Sequence, residues 1–254
     1  RLWATMLAFA LFGSISLVLS IVVFPLFWII VRNRTYRSTI SRDLVSTCFG
    51  LFIQVVNRLG VLRYNIIGDE KIEGLSGCLI LANHPSLIDA IFLLSIFRDA
   101  NVVAKHSLFS NAFTMIAVRV LNYISNRDPS FMMEECIQRL KAGQNLVVFP
   151  EGTRSVPGQP LRFSRGAATI AIRARASCLP VSIQCIPPVL TKTMPWYRIP
   201  KKKVSFIVEV LDLIDIRKFV ENTPNEKMAS IALNDYLRDV LSQAAISDMP
   251  DNLG

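Results

Sequence analysis

Residues 78–94 read CLILANHPSLIDAIFLL, and this stretch decides the fold. An apolar run at 78–82 precedes a short polar segment, and a second apolar run follows at 90–94. The first run is typical of a buried strand and the second of a helix, for which a proline is favoured at the first position. We therefore expect a strand that ends at Asn83 and a helix that starts at Pro85. Open α/β sheets place their chemistry at such strand-to-helix turns.

The polar segment carries one of only two histidines in the chain. If Pro85 is the first helical residue, His84 caps the helix and Asp89 lies in its second turn, where the two side chains can meet. Asp89 would then orient the imidazole and leave its other nitrogen free to take a proton. The helix N-terminus would offer N–H groups to a developing oxyanion. A purely structural capping histidine has the same spacing, so HxxxxD alone leaves both roles open.

Short apolar runs alternate with helical patterns from residue 61 onward. Such alternation predicts an α/β fold, a mostly parallel sheet flanked by helices. Strands are predicted at 61–67, 77–83, 101–105, 123–124, 145–149, 178–186 and 204–213. Helices are predicted from Pro129 with Asp128 as its cap, at 163–176, and after Thr223, with Thr223 as the cap and Pro224 next.

Residues 2–31 contain no charged side chain. A bilayer crossing needs roughly 20 apolar residues, so this segment is long enough to span or lie deep in a membrane. It is too long for a signal peptide and has no small-residue cleavage site after Pro25. Arginines follow at 32, 34, 37 and 42, and positive residues that flank an apolar segment mark its cytoplasmic side.

Apolar residues recur at helical spacing over 44–59, and Gly60 ends the pattern. This favours an amphipathic helix on the bilayer or against the first helix, and an ordinary core helix fits equally well. We expect membrane-anchoring helices at 1–59, an α/β domain at 60–247 and a frayed tail at 248–254.

The amino-acid composition limits the classes of partner that the protein is expected to bind. Hydrophobic residues make up 52% of the chain and the formal net charge is +9. Nucleic-acid binders are basic but less apolar, so these values favour an anionic membrane surface and no nucleic acid. The five cysteines are odd in number and widely spaced, which indicates reduced thiols and a cytoplasmic domain.

A second polar turn follows the strand predicted at 145–149, where residues 149–155 read FPEGTRS. Gly152 allows close approach of a ligand, and Arg154 offers a fork that suits a phosphate. Glu151 would orient the arginine or a substrate hydroxyl. Both polar turns would lie at the carboxyl edge of one sheet, although a solvated turn has a similar composition.

Taken together, the segments at 83–89 and 149–155 resemble the first and third sequence blocks of the glycerolipid acyltransferases, which include the lysophosphatidic acid acyltransferases. Residues 123–127, YISNR, are similar to the second block but lack its glycine and its phenylalanine-rich core. Residues 179–183, LPVSI, are similar to the fourth. The resemblance covers about residues 60–215.

The resemblance implies a membrane-anchored enzyme, with its catalytic domain on the cytoplasmic face, that transfers a fatty acyl group without a covalent intermediate. His84 would be the general base and Asp89 its partner. The donor would be acyl-CoA or acyl-carrier-protein, with no other cofactor. The acceptor would be a lysophospholipid, first 1-acylglycerol-3-phosphate, which gives phosphatidic acid; relatives also acylate lyso-ornithine lipids. The predicted substrate-binding residues are Asn83, Ser86, Lys105, Arg127, Glu151, Gly152, Thr153 and Arg154. For Lys105 a role as an ordinary surface lysine fits equally well.

Other chemistries fit the residues less well. The chain has no GxSxG for a serine hydrolase, and two histidines without HExxH argue against a metal site. A basic stretch at 192–203 with Trp196 and Tyr197 leaves open a non-catalytic protein that binds membrane lipids. The His84 and Asp89 pair favours the enzyme, because lipid binding alone needs neither residue.

Overall fold

A computed structural model describes residues 2–194, 198, 200 and 202–247. The helices are α1 (Leu2–Val18), α2 (Phe24–Ile30), α3 (Arg34–Arg58), α4 (Asp89–Ile96), α5 (Ser107–Ser110), α6 (Met115–Val120), α7 (Pro129–Lys141), α8 (Gly166–Ala174), α9 (Arg217–Glu221) and α10 (Glu226–Ser247). The strands are β1 (Leu62–Ile67), β2 (Leu79–Ala82), β3 (Asn101–Ala104), β4 (Ile124–Ser125), β5 (Leu146–Val148), β6 (Cys178–Ile186) and β7 (Val204–Val210). Each predicted strand is present, with ends that shift by a few residues at most.

The chain forms two compact units. The first comprises the residues up to Arg63 together with Ala90–Cys136, and the second comprises Tyr64–Asp89 together with the chain from Ile137 onward. Compact packing does not define domain boundaries, so the predicted division between 1–59 and 60–247 stays a prediction. The tail predicted at 248–254 lies outside the described residues, as do Trp196 and Tyr197 of the basic stretch.

Strands of the second unit follow the order β1-β7-β6-β2-β5. β2 pairs in parallel with both β6 and β5, and β7 is antiparallel to β6. Every residue of β2 is buried, because a central parallel strand is covered on both faces. In the first unit β3 and β4 are also parallel. The predicted α/β class with a mostly parallel, helix-flanked sheet is confirmed.

Helices α8 and α10 pack together in the second unit, and α10 also packs on β6. α8 reads GAATIAIRA, and its small buried side chains let the neighbouring helix approach closely. The cap of α10 differs from the prediction. Asn225 accepts the N–H of Met228 at 3.0 Å, while the Thr223 hydroxyl donates to the carbonyl of Phe219. The predicted Asp128 cap of α7 is confirmed by its bonds to the next turn.

The N-terminal chain is helical over Leu2–Ile30, with one π-helical turn at Leu19–Val23 just before Pro25. A proline lacks an N–H and crowds the preceding turn, which a widened turn relieves. This segment and α3 are both long and apolar enough to cross a membrane, by length and composition. Only 17% of the first helix's most apolar window is buried, and 33% of that of α3.

Helix α3 begins ten residues before the predicted amphipathic pattern, because the Asn33 side chain caps it by accepting the N–H of Tyr36. Three of the arginines expected to flank the membrane segment therefore lie on α3, and two of them, Arg37 and Arg42, are buried. Arg37 donates to the carbonyl of Val31 and stacks on Trp28, with 4.3 Å between the guanidinium carbon and the ring centroid. The membrane orientation inferred from them stays a prediction.

Candidate active site

Strand β2 ends at Ala82, and the next side chain extends its pairing with β6. The Asn83 amide donates to the carbonyl of Ile183 at 2.8 Å and accepts its N–H at 2.7 Å. Asn83 is only 4% exposed. Its side chain therefore imitates one more residue of the strand ladder, while the predicted contact of Asn83 with substrate stays a prediction.

The turn after Asn83 does not become helical until Asp89, so the predicted helix start at Pro85 and the capping role of His84 are wrong. The predicted meeting of the two side chains is nevertheless found. His84 Nδ1 lies 2.9 Å from Asp89 Oδ2. Asp89 is the first residue of α4, and its carboxylate reaches back over the turn to the ring. The structure gives His84 Nε2 no partner among the described residues.

Asp89 is completely buried, and the same Oδ2 also accepts the N–H of Ser86 at 2.6 Å. Burial raises the pKa of Asp89 to about 6, against the opposing effect of the hydrogen bonds from His84 and Ser86. Ser86 is buried as well. Within the described chain its hydroxyl and Asp89 Oδ1 have no hydrogen-bond partner. The predicted contact of Ser86 with substrate stays a prediction.

The second polar turn lies beside the first, because β5 and β2 pair in parallel with Leu81 opposite Val148. The same offset of 67 residues brings Glu151 to His84. Glu151 Oε1 accepts the backbone N–H of His84 at 3.0 Å and the Ser155 hydroxyl at 2.6 Å. Ser155 N–H in turn donates to the carbonyl of His84 at 2.7 Å. The prediction that both turns share one edge of the sheet is confirmed by these contacts.

Phe149, at the end of β5, lies against the imidazole. The two ring centroids are 4.1 Å apart and the planes differ by 18°. Such stacking holds the plane of the ring and favours an imidazolium when one forms, because an aromatic face attracts a cation.

Arg154 is partly committed within the second unit. Its Nη1 donates to the carbonyls of Leu190 and Thr191, at 2.7 and 3.0 Å. The Leu190 carbonyl also accepts the N–H of Leu87, so Arg154 supports the far end of the histidine turn. Gly152 has a φ of 66°, which a glycine adopts without strain, and both it and Thr153 are exposed. The anion-binding roles of these residues stay predictions.

Lys105 and Arg127 belong to the first unit. They follow the parallel strands β3 and β4, and both are exposed. Two bonds join these strand ends: the Asn126 side chain accepts the N–H of His106 at 2.8 Å, and the Asn126 N–H donates to the carbonyl of Ala104 at 3.1 Å. The predicted contact of Lys105 and Arg127 with an acceptor phosphate stays a prediction. In the described ranges no three His, Cys, Asp or Glu side chains form a group that could hold a metal ion.

Comparison with known proteins places the part of the chain that carries both polar turns in a family. Residues 63–184 match the family model named Acyltransferase, which spans both polar turns. This part of the chain belongs to the acyltransferase family. The chain has the fold of the 1-acyl-sn-glycerophosphate (LPA) acyltransferase, PlsC, from Thermotoga maritima, with a TM-score of 0.70 and 21% identity over 95% of each chain.

Curated relatives of the acyltransferase domain carry one name. The chain is 28% identical to the 1-acyl-sn-glycerol-3-phosphate acyltransferase of Borreliella burgdorferi, over 64% of this chain and 66% of that protein. It is 32% identical to the protein of that name from Pseudomonas aeruginosa, over 48% of this chain and 49% of the other. Across these relatives the chain spans between 32% and 66% of their length.

Sequence reasoning missed the parts played in the acyltransferase domain by Phe149 and Ser155, although both lie within the quoted FPEGTRS segment. The signal was the parallel pairing of the two strands that precede the motifs. Once β2 and β5 are neighbours in that register, the residues after them must meet.

Proposed function

We propose that the chain is a membrane-bound O-acyltransferase that moves a fatty acyl group from a thioester donor to 1-acylglycerol-3-phosphate and so forms phosphatidic acid. The donor is acyl-CoA or acyl-carrier-protein. The observation that carries the proposal is the contact between His84 and the buried Asp89, beside a second loop that holds the same histidine.

In this reaction His84 Nε2 takes the proton of the acceptor hydroxyl as the oxygen attacks the thioester carbonyl. Asp89 accepts the Nδ1–H bond, which fixes the tautomer and stabilises the imidazolium. When the tetrahedral intermediate collapses, the C–S bond breaks and the thiolate receives the proton from Nε2. The histidine returns to its neutral form, so no covalent enzyme intermediate and no metal ion is required.

The acceptor assignment draws on the second polar turn and on the names of the relatives. Arg154 and the exposed backbone at Gly152 offer donors to a phosphate. The relatives are named for 1-acyl-sn-glycerol-3-phosphate, which carries one phosphate and one free hydroxyl.

A membrane anchor suits these substrates, because a lysolipid and its diacyl product reside in the bilayer. The first helix exposes large apolar side chains, among them Trp3 at 81% and Ile29 at 73%. Such exposure is unfavourable in water and favourable in lipid. The thioester donor is cytosolic, so the catalytic domain faces the cytoplasm.

One assay tests the function. Purified protein in detergent receives a labelled acyl donor and 1-acylglycerol-3-phosphate, beside His84→Ala and the matched variant His106→Ala, which alters the other histidine. Loss of a general base lowers the rate by about 10²–10⁴-fold, so His84→Ala should be nearly inactive while His106→Ala keeps most of its activity.

A panel of acceptors and both donor classes make the assay specific. Equal amounts of product from the wild type and from His84→Ala would show that His84 is not the general base. Acylation of a lyso-ornithine lipid in preference to the phosphate would overturn the acceptor, and no product with any lysolipid would favour a lipid-binding protein instead.

A further inference from the structure

We propose that Glu151 and Ser155 are positioning residues that hold the backbone of His84, and that Glu151 makes no contact with the acceptor. This inference rests on the proposed function, since it concerns how the proposed base is kept in place. It departs from the sequence prediction, in which Glu151 binds the substrate.

Both polar backbone groups of His84, its N–H and its carbonyl, form hydrogen bonds with the loop that contains Glu151 and Ser155. Its N–H points to Glu151 Oε1 at 3.0 Å and to Ser155 Oγ at 3.3 Å. Its carbonyl accepts the N–H of Ser155 at 2.7 Å. The Ser155 hydroxyl donates to Glu151 at 2.6 Å and closes the set. One short loop therefore satisfies every backbone hydrogen-bonding group of the residue that carries the reacting nitrogen.

A carboxylate suits this position for two reasons. Hydrogen bonds to an ionised acceptor are shorter and stronger than those between neutral groups, and Glu151 Oε1 accepts two of them. Its negative charge also favours the imidazolium that forms on His84, whereas the same charge would repel an acceptor phosphate. Holding the backbone and favouring the charged ring fit Glu151 better than gripping a phosphate does.

Positioning matters because the turn is not helical before Asp89. If the loop released the His84 backbone, the ring would move relative to Asp89 and to the attacking hydroxyl. A displacement of about 1 Å at a reacting group costs on the order of a hundredfold in rate.

The kinetic test compares Glu151→Ala, Glu151→Gln and Ser155→Ala with the wild type. Glu151→Ala should lower kcat by about tenfold to a hundredfold while KM for the donor and the acceptor stays within about twofold, because the lost interaction orients the base. Glutamine keeps an acceptor oxygen, so Glu151→Gln should recover much of the loss, and Ser155→Ala should fall between. Glu221→Gln in α9 and Ser230→Ala in α10 serve as matched controls and should retain the wild-type kcat.

A second readout does not depend on turnover. The chain has two histidines, so the ring NMR signals of His84 can be assigned by their loss in His84→Ala. Glu151→Ala should shift these signals, because the residue that carries the ring is no longer held, and Glu221→Gln should leave them in place. An inactive wild type would overturn the proposed function, but the NMR result would still decide the positioning role.

Two results would overturn the inference. One is a rise in the acceptor KM with unchanged kcat in Glu151→Ala, which would show that Glu151 contacts the acceptor. The other is a His84 ring spectrum that is identical in Glu151→Ala and the wild type.

Discussion

Two carboxylates act on one histidine from opposite sides. Asp89 contacts the ring from a completely buried position, while the half-buried Glu151 contacts the backbone. Paired acids placed in different environments take different tasks. Here the buried acid sets the direction of the Nδ1–H bond, and the more exposed acid anchors the residue that carries the ring. In the proposed mechanism, His84 Nε2 is thereby left as the reactive atom.

The raised pKa of Asp89 predicts opposite pH effects on activity and on stability. Burial lifts this pKa from 3.8 to about 6, so the folded protein binds the proton more tightly than the unfolded chain does. The contribution to the free energy of unfolding is complete below the unfolded value and is lost as the pH rises to about 6. The loss amounts to at most about 3 kcal/mol. Activity should instead fall below about pH 6, because a protonated Asp89 no longer stabilises the imidazolium.

Thermal or chemical unfolding between pH 4 and pH 7 checks the stability effect, and a pH–rate profile checks activity. Asp89→Asn should remove this part of the pH dependence of stability and should be poorly active at every pH. Asp235→Asn, at a half-exposed position in α10, is the control and should keep the wild-type dependence. If the free energy of unfolding changed by the same amount between pH 4 and pH 6 in the wild type and in Asp89→Asn, the raised pKa of Asp89 would be contradicted.

At the level of elements, the sequence predicted the strands well and the turn between β2 and α4 poorly. Periodicity and apolar runs mark a buried strand, since burial on both faces requires apolar side chains throughout. The start of α4 was misplaced because the backbone groups of His84 and Leu87 bond to Glu151, Ser155 and Leu190 instead of to a helix. Those partners lie between 67 and 103 residues away, and no local pattern reveals them.

The role of Arg42 in α3 was also mispredicted, because its partners lie far away in the sequence. Arg42 donates from Nε to Asp99 at 2.7 Å and from Nη1 to Asn101 and to the carbonyl of Leu121. It is 5% exposed. The charge pattern suggested a membrane-flanking cation, whereas the fold uses this arginine to join α3 to other parts of the first unit. Sequence alone distinguishes these uses only when the partners are known.

Because the Asn83 side chain bonds twice to the backbone of Ile183 in β6, we expect Asn83→Ala to destabilise the fold. The substitution leaves the buried N–H and carbonyl of Ile183 without this partner. Each unsatisfied buried group costs about 1–3 kcal/mol, so the loss of two partners should lower the free energy of unfolding by about 2–6 kcal/mol. Thermal unfolding in detergent measures the loss, and the activity of the remaining folded protein should also decline because His84 is the next residue.

The matched variant is Thr153→Ala, at an exposed position in the second polar turn, which should unfold at the wild-type temperature. If Asn83→Ala kept wild-type stability and only raised the acceptor KM, Asn83 would be a substrate contact, as the sequence first indicated.

At the scale of the whole chain, the path between the two compact units is the feature that a linear reading cannot recover. The chain leaves the second unit after Asp89 and returns at Ile137, so the segments of one unit are far apart in sequence. The predicted division at residue 59 follows a change in composition, which a linear pattern can show. Packing follows contacts between distant residues, such as those between the β2 and β5 turns.

The N-terminal helices predict that the protein is integral to a membrane. Leu17 lies near the middle of the Leu2–Ile30 helix and is 49% exposed. In water a lysine at such a site would be harmless. In a bilayer it would cost roughly 2.5–3.5 kcal/mol at the centre of a spanning helix, which corresponds to about a hundredfold in an equilibrium. Leu17→Lys should therefore reduce the share of protein that resists alkaline carbonate extraction, while the matched Leu17→Ile should behave as the wild type does. Full extraction of the wild type by carbonate, with Leu17→Lys unchanged from it, would show that these helices rest against protein or on the membrane surface and do not cross the bilayer.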